Sequence, residues 1–355
     1  MMKKKVKLFS SALALGMLLG TGAGSLSVVT QQVPGTTMTA KAAEGSEVKL
    51  SEDQVIVDYG GYITGIHNLS SEDIDKLLTN GALNIPVEGT NYSGQPTTIT
   101  GISYDAFSKT NLQSISGLKD FAGLKSVTFA NGSQIEEIRS GAFHDNQLTN
   151  ISLPEKVETI GAYAFQNNQL TSVSLPENLN TIRYRAFQNN KLTNVSIPEK
   201  VEIIEENTFQ NNQLTSVTLP ENLNTIEYGA FQDNKLTNVS IPEKVETIEN
   251  YTFQDNQLTN VTLPENLKTI KYSAFQSNKL TDVSIPGKVE VIEQEAFRGN
   301  ELTNVKFPDS IKNISDHAFS ENQLEQVKLT SIELLGYEAF SRNKIKSISI
   351  NKDHK

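Results

Sequence analysis

Between Leu170 and Lys191 the chain first alternates apolar and polar residues and then stops alternating. Val173 and Leu175 interleave with Ser172 and Ser174 behind Leu170, a period of two that predicts a short strand with one buried face. Pro176 follows directly. Proline has no N–H to give to a ladder, so it ends the strand. Leu179, Ile182, Ala186 and Phe187 are the remaining apolar positions. Their spacing predicts a return segment of turns, or a single helical turn, that also faces inward. Gln188-Asn189-Asn190 then turns the chain into the next strand.

The same pattern recurs along most of the chain. Phe falls at 143, 165, 187, 209, 231, 253, 275, 297 and 319, always 22 residues apart, with Phe340 one residue early and Phe107 as an outlying copy. Segments reading LPENL and IPEKV alternate, so the recent duplication unit is two rungs long. One unit cannot bury its apolar side alone, but stacked units can, with parallel strands ~4.8 Å apart. Strands are expected to begin at Leu148, Leu170, Leu192, Leu214, Leu236, Leu258, Leu280, Leu302, Leu324 and Ile345. Two looser ones are expected before them, near Leu112–Ser116 and Leu124–Phe129. The predicted class is an α/β-type repeat solenoid, curved, with a parallel β-sheet on its concave face.

One polar position is as regular as the Phe: Asn146, Asn168, Asn190, Asn212, Asn234, Asn256, Asn278, Asn300, Asn322 and Asn343. A stacked amide row could bind a ligand, but buried turns need their backbone groups paired, so these residues are expected to form a structural ladder. The pattern Leu-x-x-Val-x-Ile-Pro-x-x-Val-x-x-Ile-x-x-x-Ala-Phe-x-x-Asn resembles the BspA-like leucine-rich repeats of bacterial surface proteins, from Ile99 to the C-terminus. That family often carries Cys where this chain has the ladder Asn, and often a slightly longer period. This chain departs on both counts, as some Gram-positive members do. The resemblance implies a secreted or surface-displayed interaction protein, with adhesion as the usual role, and it carries over no catalytic residue.

The two ends read differently. Lys3, Lys4, Lys5 and Lys7 precede a mostly apolar stretch, Leu8–Gly20, and Ala40-Lys41-Ala42 is a small-x-small cleavage site. Residues 1–42 are therefore expected to be a secretory signal peptide, too short in its apolar part for a comfortable membrane span. Residues 43–105 lack the repeat and are expected to cap the N-terminal end of a solenoid over 106–355. Within them Ser70 is the expected N-cap of a short helix that stops at Gly81. At the other end Ile345–Ile350 reads as a full strand.

Composition removes whole classes of chemistry. The formal net charge is −10 and there is no Cys or Trp, so disulfides, thiolate metal sites and Cys nucleophiles are excluded, and nucleic acid is not an expected partner. His67, His144, His317 and His354 fall at unrelated repeat positions, and no catalytic or nucleotide motif is present. No cofactor and no metal is expected. An enzyme with a site in 43–105 is the remote alternative, since a site needs a nucleophile, base and orienter together. Glu155, Glu177, Glu199, Glu221, Glu243 and Glu265 form a row after the repeated Pro, read as a solvated edge rather than a Ca²⁺ site. Tyr184, Tyr228 and Tyr272 form a stripe every second rung, read as packing in preference to binding. Binding is placed instead on the exposed strand positions, Ser172, Ser174, Asn194, Ser196, Ser216, Thr218, Asn238, Ser240, Asn260 and Thr262. This face is small, neutral and free of aromatic rings. It suits an extended extracellular protein or polymer, such as a host matrix or cell-surface component. A structural or spacer role at the cell envelope is the alternative.

Overall fold

The computed structural model describes residues 47–330 and 332–350, so the expected signal peptide, residues 1–42, lies outside the described residues. The repeats stack into a parallel-strand solenoid in which each rung contributes two strands. A front row of three-residue strands includes Asn150–Ser152, Ser172–Ser174, Asn194–Ser196, Ser216–Thr218, Asn238–Ser240, Asn260–Thr262 and Asp282–Ser284. A back row of two-residue strands includes Thr159–Ile160, Thr181–Ile182, Ile203–Ile204, Thr225–Ile226, Thr247–Ile248 and Thr269–Ile270. The return segment was expected to be turns or a helical turn. It contains a strand because Ile182 and its equivalents sit in register 22 residues apart and pair directly.

Between the rows lies one continuous core. Each ladder Phe from Phe107 to Phe319 is buried, and consecutive rings stack nearly parallel, with centroids 5.1 Å apart at the closest pair and 5.7 Å at the widest. Aromatic pairs of this kind contribute roughly 0.5–1.5 kcal/mol each beyond their buried area. The Leu that opens each rung is also fully buried, from Leu148 to Leu324.

Three expectations are corrected. The front row is not one sheet: its strands pair in twos, Asn150–Ser152 with Ser172–Ser174, Asn194–Ser196 with Ser216–Thr218, and so on. Leu112–Ser116 is not a strand. It spans the end of a short helix, α2 (Lys109–Gln113), because Ser108 accepts the Asn111 N–H and caps a helical turn before the period-two pattern can act. The α/β description also gives way. Among the described residues helix is limited to α2, to α1 (Ser71–Asn80) and to a 3-10 turn at Glu52–Gln54, so the repeats are strand and turn.

Residues 47–105 continue both rows. Tyr62–Ile66 pairs in parallel with Gly101–Ile102, which pairs with Glu137–Ile138 of the back row. On the front, Val48–Lys49, Ala82–Ile85 and Ser126–Phe129 form a parallel sheet. α1 starts at the N-cap Ser70, whose Oγ accepts from the Asp73 N–H at 3.1 Å, and stops where Gly81 adopts φ 62° and donates to the Leu77 carbonyl. A left-handed residue here favours glycine. The core residues Ile63, Leu77 and Ile85 join the same apolar cluster as the rungs.

Candidate functional site

Each front strand presents two side chains outward, because successive residues alternate faces and the middle Val or Ile packs inward. Ser172, Ser174, Asn194, Ser196, Ser216, Thr218, Asn238, Ser240, Asn260 and Thr262 are all exposed, on five consecutive strands. Asn194 and Asn238 donate only to the hydroxyls of the adjacent Thr193 and Thr237, both at 3.3 Å. The surface is a broad field of donors and acceptors, with no charged group among these ten positions.

The expected ladder is a ladder. Asn212 Nδ2 donates to the carbonyls of Phe187, Phe209 and Gln210, at 2.9, 3.1 and 3.3 Å, and its Oδ1 accepts the Leu192 N–H at 3.0 Å. Asn168, Asn190, Asn234, Asn256 and Asn278 repeat the pattern, and so, toward the ends, do Asn146, Asn300, Asn322 and the half-buried Asn343. With its hydrogen-bonding capacity engaged internally, this row has nothing left to offer a ligand.

Two polar ladders were missed from sequence. Gln210 donates to Gln232 and Gln232 to Gln254, each at 2.7 Å, in a run that includes Gln166, Gln188 and Gln276. Asn211 donates to Asn189 at 2.8 Å and Asn189 to Asn167 at 2.7 Å. The signal was present in the Gln that follows the Phe in six consecutive rungs, from Gln166 to Gln276, but it was read only as a turn. The two flavours of rung also acquire a reason. Asn178 of one rung reaches back to the Glu155 carbonyl at 3.2 Å and accepts from Lys200 of the next at 2.9 Å. Asn222 with Lys244 and Asn266 with Lys288 repeat this clasp, so rungs with Asn and rungs with Lys at this position alternate as acceptor and donor. The Glu that precedes each of them, from Glu155 to Glu265, is exposed.

The tyrosine stripe packs as one pair and one trio. Tyr184 lies edge-on to Tyr163 at 5.0 Å, and Tyr251 is flanked by Tyr228 and Tyr272 at 5.1 and 5.0 Å. Tyr163 and Tyr251 escaped the sequence reading because they sit one position further from the back-row Ile than Tyr184 and its equivalents. Burial and a hydrogen bond with Tyr272 push the Tyr251 hydroxyl up to about 12. Tyr184 and Tyr228 remain 41 % exposed, so the stripe is partly accessible. Nearby, Glu227 is raised above the usual carboxylate range, by burial first and then by Glu205, Glu206 and Glu249.

Among the described residues no three His, Asp or Glu side chains converge as metal ligands, and no helix is long and apolar enough to cross a membrane. His144 is spent on Asp105 and Asp145, and His317 faces Glu338.

A family model described as a BspA type leucine rich repeat region matches in six copies, over residues 92–139, 136–259 and 246–355. No curated protein matches the chain. Among solved structures, a leucine-rich repeat protein from Bacteroides ovatus is similar at 23 % identity with a TM-score of 0.52, covering 79 % of this chain and 87 % of that one. One from Eubacterium ventriosum has 19 % identity and a TM-score of 0.44, over 81 % and 92 %. A leucine rich cell surface protein from Faecalibacterium prausnitzii has 20 % identity and a TM-score of 0.36, over 82 % and 96 %. The first of these shows the shared fold.

Proposed function

This chain belongs to the BspA-type leucine-rich repeat family, and from that premise we propose that it is an exported, non-catalytic binding protein of the bacterial surface. In this reading residues 1–42 direct export and are removed, residues 43–105 cap the N-terminal end of the stack, and the solenoid of 106–355 binds. The front row is its concave, partner-facing side. One observation carries the assignment: ten exposed Ser, Thr and Asn side chains lie in register on five consecutive strands, without one charge or ring among them.

Such a surface offers many weak contacts and few anchors, so affinity comes from extent. It favours an extended protein or polymer over a compact sugar that needs an aromatic platform. The test is a binding series against immobilised host matrix proteins and cell-wall polysaccharide. Asn194→Arg, Asn238→Arg and Asn260→Arg should each weaken capture, while Glu199→Arg and Glu243→Arg should not. If the front variants bind like the parent and Tyr184→Ala or Tyr228→Ala abolishes capture, the face is wrong and the tyrosine stripe is the site. If the parent captures none of these materials, the spacer role stands in its place.

A further inference from the structure

The rungs are not joined equally. At most boundaries the residue after the back strand donates its N–H to the rung before: Arg183 to Ile160, Glu227 to Ile204, Lys271 to Ile248, Glu293 to Ile270 and Ser315 to Ile292. At Glu205 and Glu249 this bond is not made, and the back-row pairing stops there too. Thr181–Ile182 does not pair with Ile203–Ile204, nor Thr225–Ile226 with Thr247–Ile248. The front row breaks at the same two places, between Ser172–Ser174 and Asn194–Ser196 and between Ser216–Thr218 and Asn238–Ser240. Further along, a front-row break such as that between Asn260–Thr262 and Asp282–Ser284 is bridged behind by the paired Thr269–Ile270 and Val291–Ile292. Only these two boundaries of the repeat array lose strand pairing in both rows, and each keeps a single long front-row backbone bond, Thr193 to the Thr171 carbonyl at 3.3 Å and Thr237 to the Thr215 carbonyl at 3.4 Å.

A cause is legible in the sequence. The residue before the ladder Phe is Ala in every other rung, but Thr208 and Thr252 stand there in the two rungs that follow the double breaks. Both are fully buried, and each hydroxyl bonds back to a carbonyl of its own turn, Glu205 at 2.7 Å and Glu249 at 2.8 Å. A β-branched hydroxyl residue in a column of methyl groups overfills it. The Phe rings on either side of these residues are 5.5 to 5.7 Å apart, against 5.3 Å for the flanking Phe165–Phe187 and Phe275–Phe297 pairs.

We infer that the solenoid has two flexible joints, at the boundaries before rungs 192–213 and 236–257, which divide it into three stiffer blocks. The turn side stays closed at both. Phe187 donates to the Thr208 carbonyl and Phe231 to the Thr252 carbonyl at 3.0 Å, and the Asn and Gln ladders run through unbroken. The Phe–Asn column is thus the axis, and the two strand rows are the parts that open and close about it. The first joint is also clasped at the surface by Arg183–Glu205 and Arg185–Glu206, at 2.9 and 3.2 Å, beside an open depression of about 330 Å³ lined by Thr181, Lys200 and Ile203.

The chain has no Cys, so spin labels can be placed at will on exposed front positions. A Ser152→Cys/Ser240→Cys pair spans both joints, and a Ser240→Cys/Lys328→Cys pair spans the same four rung steps, about 20 Å, with neither. The first pair should give a distance distribution at least twice as wide as the second. A Thr208→Ala/Thr252→Ala background should narrow it to match. Amide exchange at Glu205 and Glu249 should exceed that at Glu227 and Glu293 by about tenfold, as expected of locally opening units. Equal widths and equal exchange in the parent would overturn the joints. A wide distribution that the Ala background leaves unchanged would overturn the role given to the threonines.

Discussion

Asn212 makes four hydrogen bonds through one buried amide, and two neighbouring rungs depend on it. Asn212→Leu leaves the Leu192 N–H without a partner, worth roughly 1–3 kcal/mol when orphaned, while the carbonyls of Phe187, Phe209 and Gln210 each keep a second donor, in Asn190, Asn234 and the Asn189 N–H. The substitution should cost about 2 kcal/mol in a denaturant melt, whereas Ser216→Ala on the exposed front should change stability by about 0.5 kcal/mol or less. Ser273 offers the opposite case. It is fully buried at φ 52°, and its hydroxyl has no hydrogen-bond partner, while Gly229 holds the same place in another rung at φ 59°. Ser273→Gly relieves the left-handed backbone and the buried hydroxyl, against about 0.4–1 kcal/mol of added unfolded-state entropy. A net gain of about 1 kcal/mol is expected, read by thermal or denaturant unfolding. The conformation at 273 was not legible in the sequence, because residues as different as Tyr163, Arg185 and Glu295 occupy the equivalent left-handed position. Stacking against the next rung overrides local preference there.

Within a rung, the back strand and the turn that follows it gather charge. Glu227 faces Glu205, Glu206 and Glu249 from the rungs on either side, and its Oε2 accepts the Glu206 N–H at 3.1 Å. Its folded pKa lies above its unfolded one. Relative stability is therefore fully present below the ordinary carboxylate range and is lost as pH rises through the raised value. Glu227→Gln keeps an acceptor for Glu206 but sheds the charge. It should stabilise the protein at pH 7 by about 0.5 kcal/mol, discounted for solvent screening, and the gain should vanish near pH 3. Melts at the two pH values check this, and a gain of equal size at both would rule out electrostatic repulsion as the cause. The back strand itself was hidden in the sequence because two residues carry too little alternation to register a period. It exists because Ile160 pairs in register with Ile182 and Ile204 with Ile226, each buried.

For the molecule as a whole, each rung touches mainly its neighbours, so stability is close to a sum of rungs and interfaces. Deleting Leu192–Lys235 in frame removes the middle block and brings the rung ending at Lys191 onto the one beginning at Leu236. The shortened protein should fold, with a denaturant m-value reduced in proportion to the surface lost and one joint in place of two. Intact mass of exported protein should place its N-terminus at Ala43, and retention of residues 1–42 would refute the export signal. The sequence by itself determined the period, the buried Leu and Phe, the Asn ladder and the membership in a repeat family. These follow from each position's chemistry repeated at fixed spacing, which needs no knowledge of distant contacts. Only the tertiary structure decided which rungs pair, where both strand rows break and how Lys200 finds Asn178. Those depend on how neighbouring rungs, differing at single residues such as Ala186 and Thr208, settle against each other at separations that vary by a few tenths of an ångström.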